Sequence, residues 1–266
     1  MRRALLLPLL LVTLGAAPLQ QSQDGQDIVV TAQTRKALTD FVTALADTGP
    51  TGQIARWKTL CPIVAGIDPA EAEFMVGRIG AVAESVRLRA DAPGCRPTTL
   101  ILFTNEAAAL AREFARVYPV TLRTDGRGRL KRFVASGQPV RWLSVTDPCG
   151  AGCSLPNSHI VRPTNPSFQA MIVIVDAKQI GGYSLGELSD YLALVALGNP
   201  PLVAPRPRDS VLSMFVEPRA AGARFTLTAA DRAFLAGLYR APTNMGAEAQ
   251  RAAIATHMQR DGKKRR

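Results

Sequence analysis

The sequence predicts an α+β protein, a mixed sheet of a few strands with about five helices packed on it and support from disulfides. Two observations lead to this prediction. Short apolar runs typical of strands are interspersed, in irregular order, with longer segments whose apolar residues recur at helical spacing. The chain also has 266 residues, 47% of them hydrophobic, which suffices for one core of ordinary size.

The predicted strands are short apolar runs. A strand or buried turn is expected within residues 57–66, and clear strand candidates occupy 99–103 and 139–145. Residues 169–176 form the strongest candidate, and their continuous apolar run indicates burial on both faces. A last strand is predicted within 210–216.

The predicted helices are recognised by their starts. The first begins near Lys36, Asn105 is expected to cap another, and a weak helix is predicted over 246–259. Three further starts carry capping-box pairs, in which a polar side chain and an acid three residues later satisfy each other's backbone N–H groups. These pairs are Asp68 with Glu71, Ser184 with Glu187, and Thr228 with Asp231.

Composition divides the chain into four segments. They are a signal peptide at 1–17, a flexible leader at 18–35, a single globular domain at 36–242 and a basic tail at 243–266. The signal is predicted from Arg2 and Arg3, which precede an apolar run and a small-residue cleavage site. That run is too short to span a bilayer, so we expect a periplasmic or secreted protein without a transmembrane segment in the mature chain.

The cysteine count agrees with an oxidising compartment. The four cysteines allow three disulfide connectivities, of which the local pairs Cys61–Cys95 and Cys149–Cys153 are favoured. A zinc site is not expected, because the spacing from Cys149 to Cys153 is unusual for zinc and the chain has two histidines. We also expect no cofactor, since no Gly-rich phosphate loop is present.

The net charge of +11 raises the question of an anionic partner. Basic residues concentrate in 123–132, which is predicted to be a hairpin tip around an Asp-Gly turn. These residues either bind an anionic envelope polymer or keep a strand edge solvated. They are Arg123, Arg127, Arg129, Lys131 and Arg132. Nucleic acid is not expected, because aromatic residues make up only 6% of an extracytoplasmic chain.

The candidates for catalysis are few. His159 lies near Ser154 and Ser158, so a hydrolase with a nucleophile and a base can be imagined, but no GxSxG motif supports it. Glu187 and Asp190 share a helix face, yet Glu187 already serves the predicted capping box. Asp176, at a strand end, is the remaining carboxylate of interest. A non-enzymatic protein is therefore favoured.

The segment Ile28, Val29, Val30 and Thr31, preceded by Asp27, resembles the TonB box of TonB-dependent outer-membrane receptors. The resemblance implies an extended segment that adds as a strand to the TonB protein. It covers about six residues, and the rest of the chain is too short and too helical for a receptor barrel. The alternative, a strand docked on the protein's own sheet, stays open.

A second resemblance involves 172–176, the stretch SLGELSDYLALVALGNP that begins at Ser184, and LTAADRAFLAGLYRAP. This layout is similar to that of uncharacterised secreted proteins of Gram-negative bacteria, some related to metzincin-like peptidases. In those peptidases the helix after the strand carries HExxH, whereas the helix from Ser184 to Gly198 has no histidine. The resemblance thus implies a scaffold without the zinc catalyst.

Three hypotheses remain from these observations. The leading one is a non-catalytic extracytoplasmic protein that binds a protein partner, with the 28–31 segment as a possible contact. The others are a hydrolase using His159 with a nearby serine or carboxylate, and a binder of anionic envelope polymers through 123–132.

Overall fold

The protein folds around a four-stranded mixed sheet in the order β2-β4-β6-β5, as described by a computed structural model for residues 24–49, 51–91, 94–119, 128–148, 164–218 and 224–264. The strands are β1 (Thr59–Leu60), β2 (Pro62–Ala65), β3 (Arg89–Ala90), β4 (Thr99–Thr104), β5 (Val140–Asp147) and β6 (Ser167–Asp176). Strands β2, β4 and β6 are parallel, β5 runs antiparallel to β6 at one edge, and β1 pairs with β3 separately.

Seven α-helices surround this sheet within the described residues. They are α1 (Asp24–Leu45), α2 (Pro69–Ser85), α3 (Ala107–Val117), α4 (Arg129–Ala135), α5 (Leu185–Gly198), α6 (Ala229–Arg240) and α7 (Ala247–Lys264). Two 3-10 turns occupy Ala177–Gln179 and Val211–Phe215. The predicted α+β class with a mixed sheet is therefore confirmed. None of the described helices has the length and apolar character needed to cross a membrane.

The two faces of the sheet are covered unequally. Register places Ile101, Trp142 and Val173 on one face, and all three are buried. On the opposite face Leu100 and Ile172 are only half-buried. Helix α5 is apolar almost all round and buried along nearly its whole length, as expected of a helix at the centre of the core.

Capping signals correctly predicted the starts of three helices. Ser184 and Glu187 form the predicted capping box of α5, and Thr228 and Asp231 form that of α6. Asp68 caps α2 by accepting a hydrogen bond from the Ala70 N–H. In each case the capping side chain satisfies a helix N–H that has no partner within the helix.

The predicted disulfide between Cys61 and Cys95 is also confirmed. Its Cα atoms lie 6.1 Å apart, and Cys61 is completely buried. The bond ties the start of β2 to the loop before β4. Cys149 and Cys153 lie outside the described residues.

Three predictions of local structure were wrong. Residues 28–31 lie within helix α1 and are not extended, because adding residues to an existing helix costs far less than starting one. Within 210–216 the chain forms the 3-10 turn Val211–Phe215, and the Ser210 side chain before it accepts the Leu212 N–H. Asn105 is not the cap of α3. Thr104 accepts the Glu106 N–H, and Glu106 occupies the cap position without a side-chain bond.

The predicted basic hairpin at 123–132 is corrected as well. From Arg129 the chain forms helix α4, while 123–127 lie outside the described residues. Leu130, Phe133 and Val134 are spaced as one helix face, and Phe133 is completely buried. Burial of this face favours a helix from Arg129 over the second strand of the predicted hairpin.

Candidate binding cleft beside strand β5

A cleft of 260 Å³ lies beside edge strand β5, between helix α4 and the segment that follows α5. Its lining residues come from four parts of the chain that are far apart in sequence. They are Asp47, Arg129, Arg132, Trp142, Leu143, Ser144, Asn199, Pro200, Pro201, Leu202 and Val203.

The backbone of β5 contributes the most distinctive polar groups of this cleft. The Asp176 N–H donates to the Pro139 carbonyl at 2.8 Å, which fixes the antiparallel alternation. Residues 141 and 143 therefore direct their N–H and C=O groups at β6, and Trp142 and Ser144 direct theirs away from it. Within the described parts of the chain, no group forms a hydrogen bond with these outward backbone groups.

The wall opposite α4 is rigid. The Trp142 indole N–H donates to the Pro200 carbonyl at 2.8 Å, and the Arg206 guanidinium lies 5.3 Å from the centre of the Trp142 ring. Arg206 also donates to the carbonyls of Pro201 and Leu202 at 3.0 and 2.8 Å. Burial lowers the pKa of Arg206, but the guanidinium stays charged because its ordinary pKa is so high. Cation–π and hydrogen-bond contacts thus hold the Trp142 ring in place.

The two arginines of α4 in the cleft have different surroundings. Arg129 is held by an ion pair with Asp47 at 2.8 Å and donates to the Thr48 carbonyl at 2.7 Å, so its side chain is only 10% exposed. Arg132 is exposed and forms no ion pair or hydrogen bond with its side chain among the described residues. Of the predicted anion-binding residues, Arg129 is therefore neutralised, while Arg132 is free to meet an anion. Lys131 is exposed and does not line the cleft.

The carboxylates considered for catalysis have structural partners. Glu187 accepts the Ser184 and Phe225 N–H groups, both at 2.9 Å. Asp190 accepts Arg78 at 2.6 Å and the Leu227 N–H at 2.9 Å. Asp176 accepts the Lys178 N–H at 3.1 Å. These contacts account for the three carboxylates without a reaction.

Asp231 is a further buried carboxylate that sequence reasoning assigned only to a cap. It accepts the Val211 and Thr228 N–H groups at 2.8 and 3.0 Å, which links the 3-10 turn to helix α6. Desolvation by burial raises its pKa despite these hydrogen bonds. The side chain lies away from the cleft, and its contacts indicate a role in holding two segments together.

The remaining predicted site residues are not brought to the cleft by the described structure. His159, Ser154 and Ser158 lie outside the described residues, as do Arg123 and Arg127. No group of three or more potential metal ligands occurs in the part of the chain that is described. Residues 28–31 are helical, so strand addition to TonB would require them to leave α1.

The sequence does not predict the cleft, because its lining residues are far apart along the chain and come together only in the folded protein. The strand 139–145 was predicted, but its place at the sheet edge was not. The stretch from Asn199 to Val203 contains two adjacent prolines, which predict only an irregular loop after a helix. A predicted strand that carries a tryptophan and a Pro-rich loop are the two signals that, taken together, could have suggested the site.

Comparisons with known proteins give no family for the chain. No protein-family model matches it, and neither a curated protein nor a solved structure does. The cleft is therefore the feature of the chain that bears on its function.

Proposed function

We propose that this chain is a non-catalytic extracytoplasmic protein that binds an extended segment of a protein partner along the edge of β5. The observation that carries this proposal is the pair of outward-facing backbone positions, Trp142 and Ser144, in the cleft. Each offers one N–H and one C=O at the spacing of an antiparallel or parallel strand partner.

The energetic argument rests on unpaired backbone groups. A buried N–H or C=O without a partner costs on the order of 1–3 kcal/mol. Trp142 and Ser144 are both buried as residues, at 4% and 5% exposure. An added strand would satisfy these groups in the same way that β6 satisfies residues 141 and 143. Side chains of the added strand would then contact Trp142 and the Pro200–Leu202 wall.

Two further observations support the non-catalytic role and the extracytoplasmic location. Glu187 and Asp190 are bound to backbone N–H groups or to Arg78, which supports a binding role over carboxylate catalysis. The buried Cys61–Cys95 disulfide supports an oxidising compartment, because such bonds persist mainly outside the cytoplasm.

The proposal is tested by selecting ligands and then blocking the edge. Random eight-residue peptides, displayed both within a loop and at free carboxyl termini, are selected on the purified protein. Ser144→Pro removes the outward N–H at 144 while leaving the residue 141 and 143 bonds to β6 intact. We expect it to weaken binding of the selected peptides about tenfold, the effect of one lost charge-free hydrogen bond plus a steric block. Ser144→Ala, which keeps the N–H, should bind like the wild type.

A peptide-side measurement guards against misfolding of the proline variant. Two versions of the selected peptide are made, one N-methylated at its odd-numbered residues and the other at its even-numbered residues. Only one version should lose binding to the wild-type protein, because only alternate N–H groups of an added strand face β5. Equal binding by both versions, or selection of peptides that are insensitive to Ser144→Pro in a folded variant, would overturn the proposal. Failure to select any peptide would overturn it as well.

A further inference from the structure

We infer that the segment bound in the β5 cleft is the carboxyl-terminal end of the partner, with its terminal carboxylate on Arg132. This inference rests on the proposed function, since it names the kind of segment that the edge of β5 accepts. It is based on the size of the cleft and on the difference between its two arginines, since Arg129 pairs with Asp47 and Arg132 has no ion-pair partner among the described residues.

The size of the cleft favours a chain end over a long internal strand. Its volume is 260 Å³, below the usual range of about 300–1,000 Å³ for small-molecule pockets. The part of β5 that lines it is the three residues from Trp142 to Ser144. A terminal segment can make two backbone contacts there and stop, whereas an internal segment must continue past α4.

The charges of the cleft favour a carboxylate. Asp47 and Arg129 neutralise each other, with their side chains 22% and 10% exposed. Arg132 then leaves the lining with one uncompensated positive charge. A planar guanidinium binds a carboxylate through two parallel hydrogen bonds, and a terminal carboxylate matches it without a long side chain.

Helix α4 places the charge of Arg132 at the wall of the cleft. Arg129 and Arg132 are three residues apart and therefore share one helix face, the face that lines the cleft. Lys131 stands on the same helix with a similar charge but outside the lining. The pair Arg132 and Lys131 thus supplies a matched variant and control.

The test compares one peptide in two forms. A peptide selected from the free-terminus library is synthesised as the free acid and as the carboxyl-terminal amide, and each is titrated into the wild type, Arg132→Gln and Lys131→Gln. We expect the amide to bind the wild type about tenfold more weakly than the acid, as for loss of a hydrogen-bonded charge. Arg132→Gln should weaken the acid by a similar factor and leave the amide unchanged, while Lys131→Gln should change neither.

The outcomes separate this inference from the proposed function. Equal binding of acid and amide, with Ser144→Pro still blocking both, would overturn the inference and leave strand addition standing. Preference for peptides displayed in a loop, with an acidic side chain in place of the terminus, would also overturn it. Absence of any peptide sensitive to Ser144→Pro would remove both.

Discussion

Asp190→Ala is expected to lower the free energy of unfolding by about 1–3 kcal/mol, the cost of leaving a buried N–H without its hydrogen-bond partner. The Asp190 side chain is 2% exposed and lies where α2, α5 and the segment before α6 meet. It accepts Arg78 at 2.6 Å and the Leu227 N–H at 2.9 Å. Removing the carboxylate leaves the Leu227 N–H buried without a partner, and this loss dominates because Arg78 can turn to water.

Urea unfolding followed by circular dichroism measures this effect. Asp40→Ala is the matched control, because Asp40 pairs with Lys36 at the surface, where both side chains are more than half exposed. Such a pair contributes about 0–1 kcal/mol. If Asp190→Ala costs no more than Asp40→Ala, the Arg78–Asp190–Leu227 contacts do not hold the helices together. Asp190→Asn should be intermediate, since an amide oxygen can still accept the Leu227 N–H.

Replacing both Cys61 and Cys95 with alanine is expected to cost about 4 kcal/mol, from the entropy of an open chain in the unfolded state. The bond joins residues 34 apart, and the loop that it closes contains β2, α2 and β3. Without it, the unfolded chain gains the freedom of this whole loop, and buried Cys61 leaves a small void in the core.

The same unfolding measurement is made on wild type and the double variant, each with and without dithiothreitol. Reductant should destabilise the wild type by more than the double variant, in which only the predicted Cys149–Cys153 bond remains to be reduced. Equal stability of the two proteins under oxidising conditions would contradict the role of this disulfide. A free thiol at Cys61 in protein recovered from the periplasm would show that the bond does not persist there.

The parts of the fold that could be predicted are those specified by neighbouring residues. The capping pairs at Ser184 and Thr228 involve atoms three residues apart, so the sequence contains the whole interaction. The apolar run 169–176 likewise predicts β6, one of the two strands with neighbours on both sides. Segments with competing local signals were harder. The helix at 129–135 depends on burial of its apolar face, and the helical state of 28–31 depends on extension of α1 toward its start. Turn and strand propensities of single residues contain neither effect.

The candidate site could not be predicted in the same way. Whether Trp142 directs its backbone into a cleft depends on the order of strands in the sheet and on the register with β6. The difference between Arg129 and Arg132 depends on Asp47, which lies far away in sequence. Sequence analysis identified both arginines as anion-binding candidates, and the structure separates the paired one from the free one.

Amide hydrogen exchange at β5, with and without a selected peptide, tests the central proposal most directly. We predict that saturating peptide slows exchange at Trp142 and Ser144, because their outward N–H groups gain strand partners. The Leu143 amide, already bonded to β6, should exchange slowly in both states. Binding of peptide with unchanged exchange at Trp142 and Ser144 would contradict strand addition at this edge.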